Sequence, residues 1–249
     1  MLCVYAANDL LDLRVDWEAG RSSVSPKIKE GYNVDVVSVS HPVAVGVLSL
    51  PLAIAWVVGF GLVALGFAYL IRPGCALIFA GCVGLEAIYC ALKRKTWLKT
   101  VPGGAMVGLG ALAGWYAVRD FDLYAVAFFF LLTFWEIFGR NLTNDLADMS
   151  HDAPLGIKTL AIVHGPKWSA RVSLAGTTAI IPIAAVQQGG LILRLLLVAS
   201  AAWTMTLPAV GLVRLPTEER AQRMFNRASL FPPLAFVVTM IIFAAQGIL

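Results

Sequence analysis

The chain has 249 residues, of which 59% are apolar and only 14% charged, and its net charge is +4. That balance excludes a soluble, charge-coated enzyme, and no basic stripe interleaved with stacking aromatics points to nucleic acid. It predicts an all-α polytopic membrane protein, with charge-free runs long enough to cross a bilayer.

Met1 to Ala7 is apolar but makes only about two turns of helix, too short for a span or a signal peptide. An acidic stretch follows at once, Asn8-Asp9-Leu10-Leu11-Asp12-Leu13-Arg14-Val15-Asp16. Its Asp residues fall at i, i+3 and i+7, which is one helix face. Carboxylates so placed repel each other unless cations bridge them, and Mg²⁺ takes carboxylate oxygens together with water and substrate phosphates. Residues 17 to 41 form a long Ser-rich loop carrying Arg21, Lys27 and Lys29.

Seven spans are predicted after it: Pro42 to Ile71, Pro73 to Leu92, Thr100 to Val118, Leu123 to Gly139, Val172 to Leu193, Leu195 to Val213 and Ala228 to Leu249. With residues 1 to 12 as a partial N-terminal helix, they form a transmembrane helical bundle. At the end of the second span Glu86, Tyr89 and Lys93 share one face, and Arg94 follows. The third is rich in Gly and Ala, a pattern that either lets helices pack closely or leaves room for a ligand. The fourth carries Glu136 with Arg140 one turn on, an arrangement equally suited to an ion pair and to a site. It leads into Asn144-Asp145-Leu146-Ala147-Asp148-Met149-Ser150-His151-Asp152, which repeats the first acidic stretch with five identities in nine. Two such faces opposite each other would cage one diphosphate with its metal ions. The loop that follows carries Gly156, Lys158 and Thr159.

All of the 19 Lys and Arg except Arg72, Arg119 and Arg194 fall in alternate loops. The positive-inside rule makes those loops cytoplasmic, and with them both acidic stretches. Cys3, Cys75, Cys82 and Cys90 lie in apolar surroundings without metal-binding spacing and read as small buried hydrophobes.

With both Asp motifs in place, the sequence resembles the UbiA superfamily of intramembrane prenyltransferases. That family carries two motifs of the form N/D-D-x-x-D-x-x-x-D at the cytoplasmic ends of its second and sixth helices. Asn8 to Asp16 resembles the first and Asn144 to Asp152 the second. Tyr89 and Lys93 match the family's Tyr-x-x-x-Lys, and Gly156, Lys158, Thr159 and Gly165 match the loop after its second motif. The seven spans would be the family's third to ninth helices, so residues 1–249 would be one membrane-embedded domain. The family's first helix and most of its second would be missing, an expectation best met by a start site lying upstream of Met1. The first loop also lacks the family's Arg-Pro pair, with Ser25-Pro26-Lys27 the nearest stretch.

The resemblance implies a transferase that moves a prenyl group from an allylic diphosphate to an acceptor within the membrane. It implies Mg²⁺ held by Asp9, Asp12, Asp16, Asp145, Asp148 and Asp152. Asn8, Asn144, Tyr89, Lys93, Arg94 and Arg21 would contact substrate, and Asp9, Asp12, Asp145, Asp148 and Lys158 would carry the chemistry. Trp115, Tyr116, Phe134 and Trp135 offer aromatic faces to an allylic cation, and Glu86 is a candidate contact for the acceptor. The partners are a prenyl diphosphate, an acceptor whose identity the sequence leaves open, and the bilayer; no protein partner is evident. The alternatives are a terpene cyclase of the same family and a non-catalytic relative that binds isoprenoid diphosphate. An ion transporter fits poorly, because its carboxylates belong near the bilayer midplane and not at helix ends.

Overall fold

The computed structural model describes residues 7, 8, 10, 11, 13, 17, 43, 44 and 46–246. The described residues are helical or lie in turns and loops. The helices are α1 (Leu50–Ile71), α2 (Pro73–Leu92), α3 (Trp97–Val118) and α4 (Leu123–Ala147). Short α5 (Met149–Asp152) and α6 (Leu160–His164) lead to α7 (Pro166–Ala185). Then come α8 (Leu191–Arg214), α9 (Glu218–Ala228) and α10 (Phe231–Ala245), the last two forming one continuous span. Residues 7, 8, 10, 11, 13 and 17 are helical as well. Six of these segments are long and apolar enough to cross a membrane: α1, α2, α3, α4, α8 and α9–α10. The seventh long helix, α7, has 20 residues and starts with Lys167 and Arg171 in its first two turns, which lowers its hydropathy.

Several predicted boundaries move. The first span starts at Leu50, after a turn at Gly46 where φ is +79°. The predicted Val172 to Leu193 run holds two helices, because the chain turns at residues 186–190 around Gly189, whose φ is +132°. That turn, Val186-Gln187-Gln188-Gly189-Gly190, carries no charge, so a charge-free run merged the end of α7 with the start of α8. The last span starts ten residues earlier than its apolar run, since the amphipathic helix α9 joins α10.

Most buried side chains come from the second half of the chain. Leu131 and Trp135 of α4 pack with Ile180 and Ala184 of α7, Leu197 and Met205 of α8, and Ala228 and Phe231. A second cluster joins Leu146 and Ala147 to Ala170, Leu212 and Met224. Small residues set the closeness of these contacts. A Cβ on Gly176 would lie 1.9 Å from the Phe138 ring, one on Gly104 would lie 2.3 Å from Ile137, and one on Gly108 would lie 2.1 Å from Thr133. Gly110 and Gly114, on another face of α3, are exposed, and a Cβ on either would meet nothing within 4 Å. Helix α3 therefore uses one set of glycines for close packing and presents another to free volume.

Helix α1 is different. It packs against α2 and buries only Ala53 among its residues. Between α1, α2 and helical residues Ala7, Leu10 and Leu11 lies a cavity of about 570 Å³. Val57, Leu62, Leu65, Phe79 and Val83 line it, and Glu86 is its one charged wall residue among the described residues.

Candidate functional site

The second acidic motif is built on a local distortion of α4. Residues Trp135–Asn141 form a π-helical turn, a wider winding that recurs at functional sites. Such a turn frees backbone carbonyls, and hydroxyls take them up: Ser173 Oγ donates to the Phe138 carbonyl at 2.7 Å and Thr143 Oγ1 to the Gly139 carbonyl at 2.7 Å. The same turn brings Arg140 to Glu136 at 3.4 Å, with the guanidinium over the Trp135 and Phe225 rings. Glu136 and Arg140 thus form an ion pair enclosed by aromatic packing.

Beyond the π turn, α4 regains α-helical winding from Leu142 to Ala147 and then bends at Asp148, whose φ is −101° and ψ 8°. The expected unbroken helical face is therefore bent in its middle. Backbone bonds still cross the bend, from the Asp148 N–H to the Asn144 carbonyl and from the Asp152 N–H to the Asp148 carbonyl, both 2.9 Å. The three carboxylates remain within mutual influence. Burial, followed by the charges of Asp145 and Asp148, pushes the Asp152 carboxyl up to about 7.

Asp145 is the buried member of the set, and its partner is a residue the sequence reading left among the loop charges. Lys99 Nζ donates to Asp145 Oδ1 at 2.7 Å, and the two side chains are 5% and 6% exposed. Lys99 lies inside α3, which begins at Trp97 and not at Thr100. In sequence nothing separates it from its neighbours Lys93 and Lys95. Asp145 Oδ2 is buried and has no hydrogen-bond partner among the described residues.

The Tyr-x-x-x-Lys pair closes the other side. Lys93 Nζ sits 5.2 Å and Lys99 Nζ 5.5 Å from the Tyr89 ring centroid. Gly103 permits this, since a Cβ there would meet Tyr89 Cδ2 at 3.3 Å and Asn141 Nδ2 at 3.1 Å. The loop after the second motif is tied to the same place: the Lys158 N–H donates to the Lys93 carbonyl at 2.9 Å, and Trp97 meets His164 edge-on at 5.8 Å. Thr159 caps α6 by accepting from the Ile162 N–H at 3.2 Å. The Lys158 side chain is exposed, while Arg94 and Asn144 are half-buried at the same end. Of the first motif, Asn8 is described: its Nδ2 donates to Glu86 Oε1 at 2.5 Å. Asp9, Asp12, Asp16 and Arg21 lie outside the described residues. Glu86, read from sequence as an acceptor contact, here holds the first residue of that motif.

The aromatic residues considered for cation stabilisation are engaged elsewhere. Trp115 and Tyr116 lie about 24 Å along α3 from Lys99, where Arg119 covers one and Arg72 the other. Trp135 Nε1 donates to the Ala228 carbonyl at 2.8 Å, and Phe134 packs edge-on against Phe130 and Phe138.

The UbiA prenyltransferase family model matches residues 2–237 of the chain. This protein belongs to the UbiA prenyltransferase family. It is thus a multi-pass helical membrane protein of a transferase family. The fold is similar to the apo structure of a UbiA homolog from Aeropyrum pernix K1, with a TM-score of 0.71 at 19% sequence identity. The match covers 97% of this chain and 84% of that one. A search of curated proteins found no match.

The donor set can be tested against the family's usual Mg²⁺. Among the described residues no three His, Cys, Asp or Glu side chains close around a point that would hold a metal ion. A hard cation shared with a diphosphate needs only one or two protein carboxylates, the rest coming from phosphate and water. The unpartnered Asp145 Oδ2 beside Asp148 and Asp152 meets that requirement.

Proposed function

We propose that this UbiA-family chain transfers a prenyl group from an allylic prenyl diphosphate to an acceptor within the membrane. The observation that carries the reading is the gathering of the second Asp motif, the Tyr89–Lys93 pair and the Lys158 loop at one end of an apolar bundle, fastened by the Lys158–Lys93 backbone bond. Residues 1–249 act as one membrane-embedded unit. The acidic end faces the cytoplasm, in line with the distribution of Lys and Arg.

Asp145, Asp148 and Asp152, together with Asp9, Asp12 and Asp16, would hold Mg²⁺. Bound there, Mg²⁺ supplies positive charge against the diphosphate as the carbon–oxygen bond ionises. Lys93, Arg94, Lys158 and Arg21 bind phosphate oxygens directly, and Asn8 and Asn144 orient the carboxylates beside them. Tyr89 packs under Lys93 and fixes its reach. The apolar cavity that ends at Glu86, one turn from Tyr89, gives an isoprenoid chain an unbroken apolar wall and keeps water from the allylic cation. The acceptor's nucleophilic carbon or oxygen then attacks that cation.

The test is turnover of radiolabelled prenyl diphosphates of graded length in membranes holding the protein. Activity that EDTA abolishes and Mg²⁺ restores is expected. Activity that survives EDTA would sink the mechanism. Diphosphate release without acceptor, with a cyclic product, would identify a terpene cyclase instead.

A further inference from the structure

The Lys99–Asp145 pair stands in an unusual place. It joins the start of α3 to the end of α4, both side chains are nearly fully buried, and no other charged residue follows Lys99 in α3 before Arg119. Breaking such a pair leaves a buried charge uncompensated, so each partner is strongly held by the other. Yet the pair is only half satisfied, because Lys99 takes Asp145 Oδ1 while Oδ2 has no partner among the described residues. A pair that served packing alone gains most when all its polar atoms are bonded. Asp148 and Asp152 lie within electrostatic reach of Asp145, and among the described residues Lys99 is the cation bonded directly to the buried Asp145.

We infer that Lys99 is the resident cation of the metal-free site: it neutralises Asp145 until Mg²⁺ binds, and so lowers the affinity for Mg²⁺. The inference rests on the proposed Mg²⁺ role of the second motif. Two positive charges cannot share one buried carboxylate cheaply at this distance. Lys99 and the metal are therefore negatively coupled, and the coupling is reciprocal. The Tyr89 ring, already 5.5 Å from Nζ, offers the ammonium a second resting place when it leaves Asp145. Lys99 is a positioning residue in this account, acting on Asp145 and not on the prenyl donor.

The test is a thermal-shift titration of the full chain in detergent with MgCl₂ alone, then with MgCl₂ and inorganic pyrophosphate. Wild type is compared with Lys99→Gln, which keeps a donor for Asp145 Oδ1 but drops the charge, and with Lys99→Met. Both variants should melt lower without metal. Their Mg²⁺ midpoints should fall at least about fivefold, the low end of ordinary coupling between sites. If Lys99→Met does not fold, Lys99→Gln alone decides. A midpoint that is unchanged or higher than wild type overturns the inference. Should that occur while wild type still turns over prenyl diphosphate with Mg²⁺, the proposed function stands and only Lys99's role falls. Absence of any Mg²⁺ response in wild type, with no turnover, would remove both.

Discussion

Helix α1 and helix α7 are both long and largely apolar, yet they are packed in opposite ways. Helix α7 buries Ser169, Ala170, Ser173, Gly176, Thr177, Ile180 and Ala184, whereas α1 buries only Ala53. The buried residues of α7 are mostly small or hydroxylated, which lets its backbone approach α4 and lets Ser173 satisfy the π turn. Helix α1 carries Trp56, Phe60, Phe67 and Leu70 outward, where a bilayer would receive them. The contrast separates two jobs. The α3–α4–α7 side is a close-packed platform that holds Lys99 and Asp145 in fixed relation. The α1–α2 side holds apolar volume with few fixed contacts.

The strongest break of this contrast is chemical. Asp145→Ala or Asp148→Ala should lower prenyl transfer by at least about 100-fold, the usual loss when an electrostatic stabiliser is removed. Membrane insertion and monodisperse elution should be retained, and wild-type turnover in either variant would refute the carboxylate role. The next effect is steric. Gly176→Leu drives a side chain into Phe138 and should cost about 3 kcal/mol, seen as a lower melting temperature. Gly66→Leu on α1, where a Cβ meets nothing within 4 Å, should leave the melting temperature unchanged. Equal shifts in the two variants would erase the distinction between the two sides. A smaller change is expected from Trp135→Phe, which strands the Ala228 carbonyl and should cost about 1 kcal/mol in the same assay.

A separate expected effect is a slope with pH. Asp152 binds its proton more tightly in the folded protein, up to about 7, than at the ordinary carboxylate value of 3.8. Between those values the native state holds more protons than the unfolded one, so metal-free stability falls as pH rises from about 4 to 7. Asp152→Asn should flatten that slope. An unchanged slope would mean that other groups set it.

Much of the site was legible because its residues carry local signals. Asp145, Asp148 and Asp152 repeat at helical spacing, Tyr89 and Lys93 lie one turn apart, and Lys158 follows in the next loop. Helix-length apolar runs likewise announced the bundle. Lys99 was not legible, because a lysine at a helix end looks the same in sequence whether it faces water or a buried aspartate. The surroundings of Trp115 and Tyr116 were not legible for the related reason that aromatic residues within a span carry no mark of depth or partner.

Sequence by itself determined that the chain is a helical membrane bundle, which end carries its acidic motif and which residue types crowd there, since hydropathy and helical period are properties of neighbours in the chain. The packing of Gly104, Gly108 and Gly176 against α4, the bend at Asp148, and the ion pair between residues 46 positions apart were decided only in the tertiary structure. These depend on which faces of uniformly apolar helices meet, and in an apolar solvent hydropathy no longer distinguishes one face from another.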